Sequence, residues 1–299
     1  MRVGIPHKSG KLAAHAFNEG YPAMVSANAF WNARAGEFRF PQYTDLMDID
    51  WALDSAGYTA IKMWQEKGTQ VGMAGVFPWT YQQYIELASE ARASWYSAPD
   101  LCCEPEIASN QTAIDYRLDA TATLLYGCLE VIYDWQSQLA IECSPSIVAD
   151  VIRPPVPVIQ GYSISDYLRS LDQTMEVWNC WADWLAPPAL IGLGSVCRRD
   201  LNHPKHGLYA ILEGLDGNIP AGTKVHLFGV KGECLSRIKM YDWVVGADSM
   251  AFDYGARMKA VKAGHSNTME HRSIEMTHWM EKAKARLAPS AGDQFRLKL

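Results

Sequence analysis

The chain has 299 residues, 48% of them hydrophobic and 20% charged, with a formal net charge of -6. That composition excludes a disordered chain, no apolar run nears the ~20 residues of a membrane span, and Met1–Gly10 lacks signal-peptide character. The negative balance excludes a basic coat over the whole surface, though not a local basic track, and the length suits either two ordinary domains or one barrel of about 250 residues.

Strand-length apolar runs alternate along the chain with segments of helical period. Ala23–Ala27 and Asp50–Leu53 come first, then the helical segment Tyr81–Ala93 and the run Trp95–Ala98. Ile114–Gln136 carries Ile114, Leu118, Leu125, Leu129 and Ile132 on one stripe, and the run Val156–Ile159 follows. Ser165–Trp184 sets Leu168, Leu171, Met175 and Trp178 at helical spacing, with Ser165 as the expected N-cap. Ala189–Ile191, helical Gly207–Leu215, Val225–Phe228, helical Glu233–Tyr241 and Trp243–Ala247 complete the series. The runs are unbroken and rich in β-branched or aromatic residues, as buried parallel strands are. Seven or eight such units predict an α/β protein with a single (β/α)8 TIM-like barrel; a doubly wound open sheet is the alternative. The expected division is a barrel over 1–265 and a basic C-terminal helix and tail over 266–299. Residues 254–299 hold nine Lys/Arg against four acids, so this part is +5 and residues 1–253 are -11.

Seven cysteines, odd in number and without a C-x-x-C pair, predict reduced thiols and a cytoplasmic protein. Cys197, His203 and His206 form a weak metal candidate, because C-x5-H-x2-H is not a zinc spacing. His265, His271 and His278 suit a helix face better than a metal site. Trp31 and Trp79, in expected loops, are candidates for stacking on bases.

In a parallel barrel the active site gathers at the C-terminal ends of the strands. Asp54 follows Trp51–Leu53, Asp100 follows Trp95–Pro99, and Asp248 follows Trp243–Ala247. Gln160-Gly161, Gly192-Leu193-Gly194 and Gly229 follow the remaining runs. One such aspartate is ordinarily a turn or cap residue. Three in register, with no phosphate-binding glycine loop, point to glycosidic-bond chemistry, in which one carboxylate attacks or shields the sugar carbon and another moves protons. A barrel glycoside hydrolase using Asp54 and Asp248 fits the same residues, as does a non-catalytic nucleic-acid-binding barrel. Arg198, Arg199, Lys231 and Arg257, just past strand ends, are candidates for a phosphate track.

At these residues the chain resembles the queuine/archaeosine tRNA-guanine transglycosylase superfamily, most of all its phage and bacterial DNA-guanine transglycosylase (DpdA-like) branch. The islands are Leu53-Asp54-Ser55-Ala56-Gly57-Tyr58, Asp100-Leu101-Cys102, Val158-Ile159-Gln160-Gly161, Ile191-Gly192-Leu193-Gly194, His226-Leu227-Phe228-Gly229-Val230 and Ala247-Asp248-Ser249. The resemblance implies replacement of guanine in DNA by a 7-deazaguanine such as 7-cyano-7-deazaguanine, in a bacterial cell or phage-infected host. It implies Asp248 as the nucleophile on C1′ and Asp54 as acid/base. Ser55, Asp100, Cys102, Gln160, Gly229 and the Gly192-Leu193 backbone are implied at the purine edge, with Tyr58 and Phe228 stacking on its faces. Its partners are DNA and the free base, with no membrane and no cofactor.

The chain departs from that pattern in places. Ala56 replaces a glycine, Thr59 stands where glutamine is common, and Tyr162 replaces the second glycine after Gln160. The zinc cluster of the tRNA enzymes is missing, since no cysteine follows Cys234. That weighs towards DNA, with a divergent tRNA enzyme as the alternative.

Overall fold

A computed structural model describes residues 1–108 and 110–289. Each expected run becomes a strand: β2 (Ala23–Ser26), β5 (Trp51–Asp54), β6 (Trp95–Tyr96), β7 (Val158–Ile159), β8 (Leu190–Leu193), β9 (Lys224–Leu227) and β10 (Val244–Ser249). β1 (Arg2–Ile5) is an eighth strand, and the short hairpin β3 (Trp31–Asn32) and β4 (Glu37–Phe38) forms a separate antiparallel pair. The eight strands make one parallel sheet in the order β6-β5-β2-β1-β10-β9-β8-β7. It is curled so that its end strands approach. Ser97 bridges Val156 in parallel, with Ala98 N–H donating to the Val156 carbonyl at 2.8 Å and Val156 N–H to the Tyr96 carbonyl at 2.8 Å. The fold is TIM-barrel-like.

Side-chain parity explains how these short runs work. Successive residues of a strand face opposite sides. Val3, Ile5, Ala23, Val25, Trp51 and Leu53 face one way and join one hydrophobic cluster with the surrounding helices. Ile159, Ile191, Leu193, Val225, Leu227 and Ala247 do the same in a second cluster. The alternate positions, Gly4, Ser26, Ala52, Asp54, Gln160, Gly192, His226, Gly246 and Asp248, are left for the inside of the curl. Small residues there make room, and the polar ones carry the chemistry.

Helices flank the sheet: α1 (Lys11–Asn18), α2 (Gly57–Lys67), α3 (Tyr81–Ala91), α4 (Gln111–Leu139), α5 (Pro145–Val151), α6 (Ile164–Asn179), α7 (Leu208–Leu215), α8 (Leu235–Ile238), α9 (Ala251–Ala263) and α10 (Met269–Leu287). Thr80 and Gln83 form a capping box on α3, satisfying two otherwise orphaned amides. The cap of α6 is Ser163, paired with Asp166, rather than the expected Ser165. A box needs an acceptor three residues into the helix, and only Ser163 has one. The crossover from β2 to β5 carries the hairpin instead of an α-helix. Trp31 and Phe38 pack there against Trp79, which is fully buried, so Trp79 is a core residue and not a base-stacking one.

The basic C-terminal helix belongs to the same core. Met276 and Met280 of α10 enter the first cluster and Ala283 the second. Several of its cations are engaged within the protein: Arg272 with Asp253, and Lys284 over the Tyr21 ring, while Glu275 receives Lys259 of α9. Arg296, Lys298 and Asp293 lie outside the described residues.

Candidate active site

Asp54 ends β5, and its side chain folds back on the turn that follows. Ala56 N–H donates to Asp54 Oδ2 at 3.1 Å. Ala56 itself sits in the left-handed region, at φ 68° and ψ 27°, where the turn leads into α2. Here lies the physical reason for a glycine at this position in the resembling family: a Cβ in that region costs about 1–2 kcal/mol. Ala56→Gly is therefore expected to raise stability by about 1 kcal/mol, read as a higher denaturant midpoint at unchanged slope. Burial pushes the Asp54 carboxyl up to about 6, and the charge of Asp248 adds to the rise against the hydrogen bond from Ser26.

Asp100 sits on the loop after β6, 6% exposed. Ser55 Oγ donates to its Oδ1 at 2.6 Å, Gln160 Nε2 donates to Oδ2, and the Cys102 thiol lies 3.7 Å from Oδ2. Burial pushes its carboxyl up to about 7, helped by the charges of Asp54 and Glu104. Gln160 is itself fully buried, and its carbonyl oxygen takes a hydrogen bond from Ser195 Oγ. Ser55 and Gln160 thus hold Asp100 in place, which orders the turn the sequence assigned to the purine edge.

Gly194 is what lets Gln160 lie there, because a Cβ on Gly194 would run into the Gln160 carboxamide. Gly194→Ala is expected to displace that head group, break its bonds to Asp100 and Ser195, and lower stability by about 2–4 kcal/mol in denaturant unfolding. Gly192 has the same relation to the ring of Phe228. Leu193 points into the second hydrophobic cluster, and its carbonyl takes the Phe228 N–H at 3.0 Å, so neither its side chain nor that oxygen is free for a base.

Asp248 lies near the end of β10, 8% exposed. Two donors converge on its Oδ1: the Gly229 amide at 3.1 Å and His226 Nε2 at 3.2 Å. Gly229 reaches that position in a left-handed turn at φ 69°. Its amide serves the carboxylate, where the sequence assigned it to the base. Burial lowers the His226 pKa, so the ring is neutral near pH 7 and, in the Nε2–H form, donates to Asp248. Gly246 gives the imidazole room, since a Cβ there would stand 2.5 Å from Nδ1. Trp95 meets both rings edge-on, its ring 4.9 Å from His226 and 6.2 Å from Phe228. From the sequence, His226 is only the first residue of a resembling island, with no role in the chemistry. Its parity with Phe228 and Asp248 is the signal that finds it.

The expected cations divide. Arg198, Lys231 and Arg257 are exposed. Arg199 is buried, and its five N–H groups all end within the protein, on the carbonyls of Ser195, Tyr162, His206 and Gly161 and on the Tyr167 hydroxyl. It ties the β7 and β8 loops together and has no donor left for a phosphate. Tyr162 lies between this guanidinium and the His206 ring, stacked on the latter at 4.7 Å. Among the described residues no group of three or more His, Cys, Asp or Glu is placed to hold a metal, and Cys197, His203 and His206 do not form one.

The three aspartates, from β5, from the loop after β6 and from β10, are close enough that the charge of Asp248 raises the proton affinity of Asp54 and that of Asp54 raises the proton affinity of Asp100. A surface groove of about 540 Å³, lined by Trp31, Lys67, Gln70, Val71 and Gln83 among others, includes none of them. The model of the family DpdA, DeoxyPurine in DNA protein A, matches residues 19–295. The chain belongs to the DpdA family. That match runs from just before β2 through α10, so it takes in Asp54, Asp100 and Asp248 together with the helix that completes the core. A search of curated proteins gave no match. Among the described residues no helix of this DpdA-family protein is long and apolar enough to cross a membrane.

Proposed function

We propose that the chain replaces guanine in DNA with a 7-deazaguanine base, such as 7-cyano-7-deazaguanine, through a covalent intermediate on Asp248. Membership in the DpdA family supports an enzymatic, DNA-guanine transglycosylase-like role. The observation that carries the chemistry is the setting of Asp248: two donors fix Oδ1, which leaves Oδ2 to attack. The parallel sheet, read here as a closed (β/α)8 barrel, brings Asp54 and Asp100 to the same end.

The proton and electron balance closes with these groups alone. Asp248 Oδ2 forms a bond to C1′ as the C1′–N9 bond breaks, and its electron pair leaves with guanine. Protonated Asp54 gives its proton to the departing base. Ester formation then removes the charge on Asp248 that helped hold that proton, which lowers the Asp54 pKa and leaves the group ionised and able to accept a proton in the second half-reaction. The incoming 7-deazaguanine loses its N9 proton to Asp54, N9 attacks C1′, and Asp248 leaves as carboxylate. Guanine and 7-deazaguanine share their amide edge, so one pocket built on Asp100 and Cys102, with Tyr58 and Phe228 against the ring faces, holds each in turn.

Arg198, Lys231 and Arg257 form the proposed phosphate track, which makes binding salt-sensitive. The seven cysteines are all free, which fits a reducing, cytoplasmic setting. Nucleoside mass spectrometry of DNA incubated with the protein and 7-cyano-7-deazaguanine tests the reading. The modified nucleoside is expected in DNA and not in tRNA treated the same way. Its appearance in tRNA alone would assign the polymer wrongly, and hydrolytic release of guanine without incorporation would make the protein a hydrolase.

A further inference from the structure

Glu104 is four residues beyond Asp100, 5% exposed, and its Oε2 has no hydrogen-bond partner. Among the described residues it is the one carboxylate oxygen buried in that condition. Two cations stand near enough to stabilise its charge, Arg199 and Arg117. Neither donates to it. Arg199 is fully committed as described above, and Arg117 donates to the carbonyls of Cys102 and Ile107. Leaving a buried carboxylate oxygen unmet is costly, and native structures retain such a group where strain, chemistry or a bound water, ion or ligand accounts for it. The surroundings are those of the base pocket. Glu104 stands two residues beyond Cys102, whose carbonyl Arg117 holds, and the intervening Cys103 N–H donates to Ser195 Oγ at 2.6 Å, so it lies where the β6 loop meets the β8 loop, beside the Ser195 that also holds Gln160.

We propose that Glu104 is a base-binding residue whose Oε2 accepts an N–H from the 2-amino group of the purine. This rests on the base-exchange reading and assigns a residue to it that the sequence did not single out. Guanine presents three N–H groups on its amide edge, one on N1 and two on the 2-amino nitrogen. Asp100 already receives Ser55 and Gln160, so a buried pocket that meets all three needs a further acceptor. Only a group common to the leaving and entering bases satisfies Glu104 in both half-reactions. Guanine offers an acceptor, not a donor, at position 7, which excludes the 7-substituent as that group. Burial raises the Glu104 pKa, so the carboxylate is held poorly until a donor arrives.

The test is calorimetric titration of free guanine and of hypoxanthine, which lacks the 2-amino group, into wild type and Glu104→Gln. It is run alongside exchange of labelled guanine into DNA and thermal unfolding. The carboxamide keeps the shape, and Arg117 and Arg199 keep their carbonyl partners, so Glu104→Gln is expected to fold with a Tm within a few degrees of wild type. Its guanine affinity is expected to fall about 10- to 100-fold while hypoxanthine affinity changes little, erasing the wild-type preference. Unchanged guanine affinity, an equal loss for both purines, or a variant that does not fold would each overturn the assignment; the last would make the carboxylate part of the fold. Wild type that shows the Glu104-dependent preference yet exchanges nothing would refute base exchange and keep Glu104. Wild type that binds no guanine would overturn both.

Discussion

Asp248→Asn is expected to abolish base exchange, lowering kcat about 10⁴-fold or more while leaving the protein folded. The carboxamide oxygen still accepts from Gly229 N–H and His226 Nε2, and the donors that hold Asp248 are thereby kept satisfied. What is lost is the second oxygen and the negative charge that attack C1′. Alanine is a poorer test, because it strands both donors in a buried position, which costs about 1–3 kcal/mol for each. Mixed with guanine-containing DNA and quenched in acid, wild type is expected to show a protein–DNA adduct on denaturing gels. The asparagine variant is expected to show none, with a Tm within a few degrees of wild type. An adduct formed by Asp248→Asn at the wild-type rate would move the nucleophile elsewhere.

Asp54→Asn is expected to cost about 10²- to 10⁴-fold in exchange, the range for loss of a positioned acid/base. It should also flatten the pH profile, because the wild-type group titrates at about 6 and must act both protonated and ionised. Stability supplies an independent reading. The folded-state pKa is raised, so the folded protein binds the extra proton, and that stabilisation is complete below the unfolded value of 3.8 and lost as pH rises through about 6. Above pH 6 the native state therefore carries a disfavoured buried anion. Asp54→Asn removes it and keeps an acceptor for Ala56 N–H, so the variant should exceed wild type by about 3 kcal/mol at pH 8. The two should converge near pH 4. A stability gap independent of pH would contradict the raised pKa, and an unchanged exchange rate would contradict the role.

The strands were legible because they are buried on both faces, which writes them as unbroken apolar runs. β1 was not, since its inward positions are Arg2 and Gly4 and leave too little of a run in four residues. The hairpin after β2 was hidden for a different reason: its aromatics read as loop residues until Trp31, Phe38 and Trp79 are seen to share one cluster. At the site, Asp54, Asp100 and Asp248 could be found because chain position after a strand fixes which end of the sheet a residue occupies. Partnerships could not. Arg198 and Arg199 are neighbours in sequence, yet one is exposed and the other has every donor engaged by groups between four and 38 residues away. His226 and Glu104 owe their interest to burial and to who faces them, both long-range properties. Ala56 is the converse, a local departure whose meaning became physical once its φ of 68° was seen.

The most direct test of base exchange is incorporation of labelled guanine into guanine-containing DNA, with tRNA in a parallel reaction and no 7-deazaguanine present. Exchange of like for like needs only the pocket, Asp54 and Asp248, and is blind to which 7-substituent the protein prefers. Label is expected to enter DNA at the rate unlabelled guanine leaves, in wild type and not in Asp248→Asn. Release of guanine without uptake of label, or uptake that persists in the Asp248→Asn protein, would contradict it.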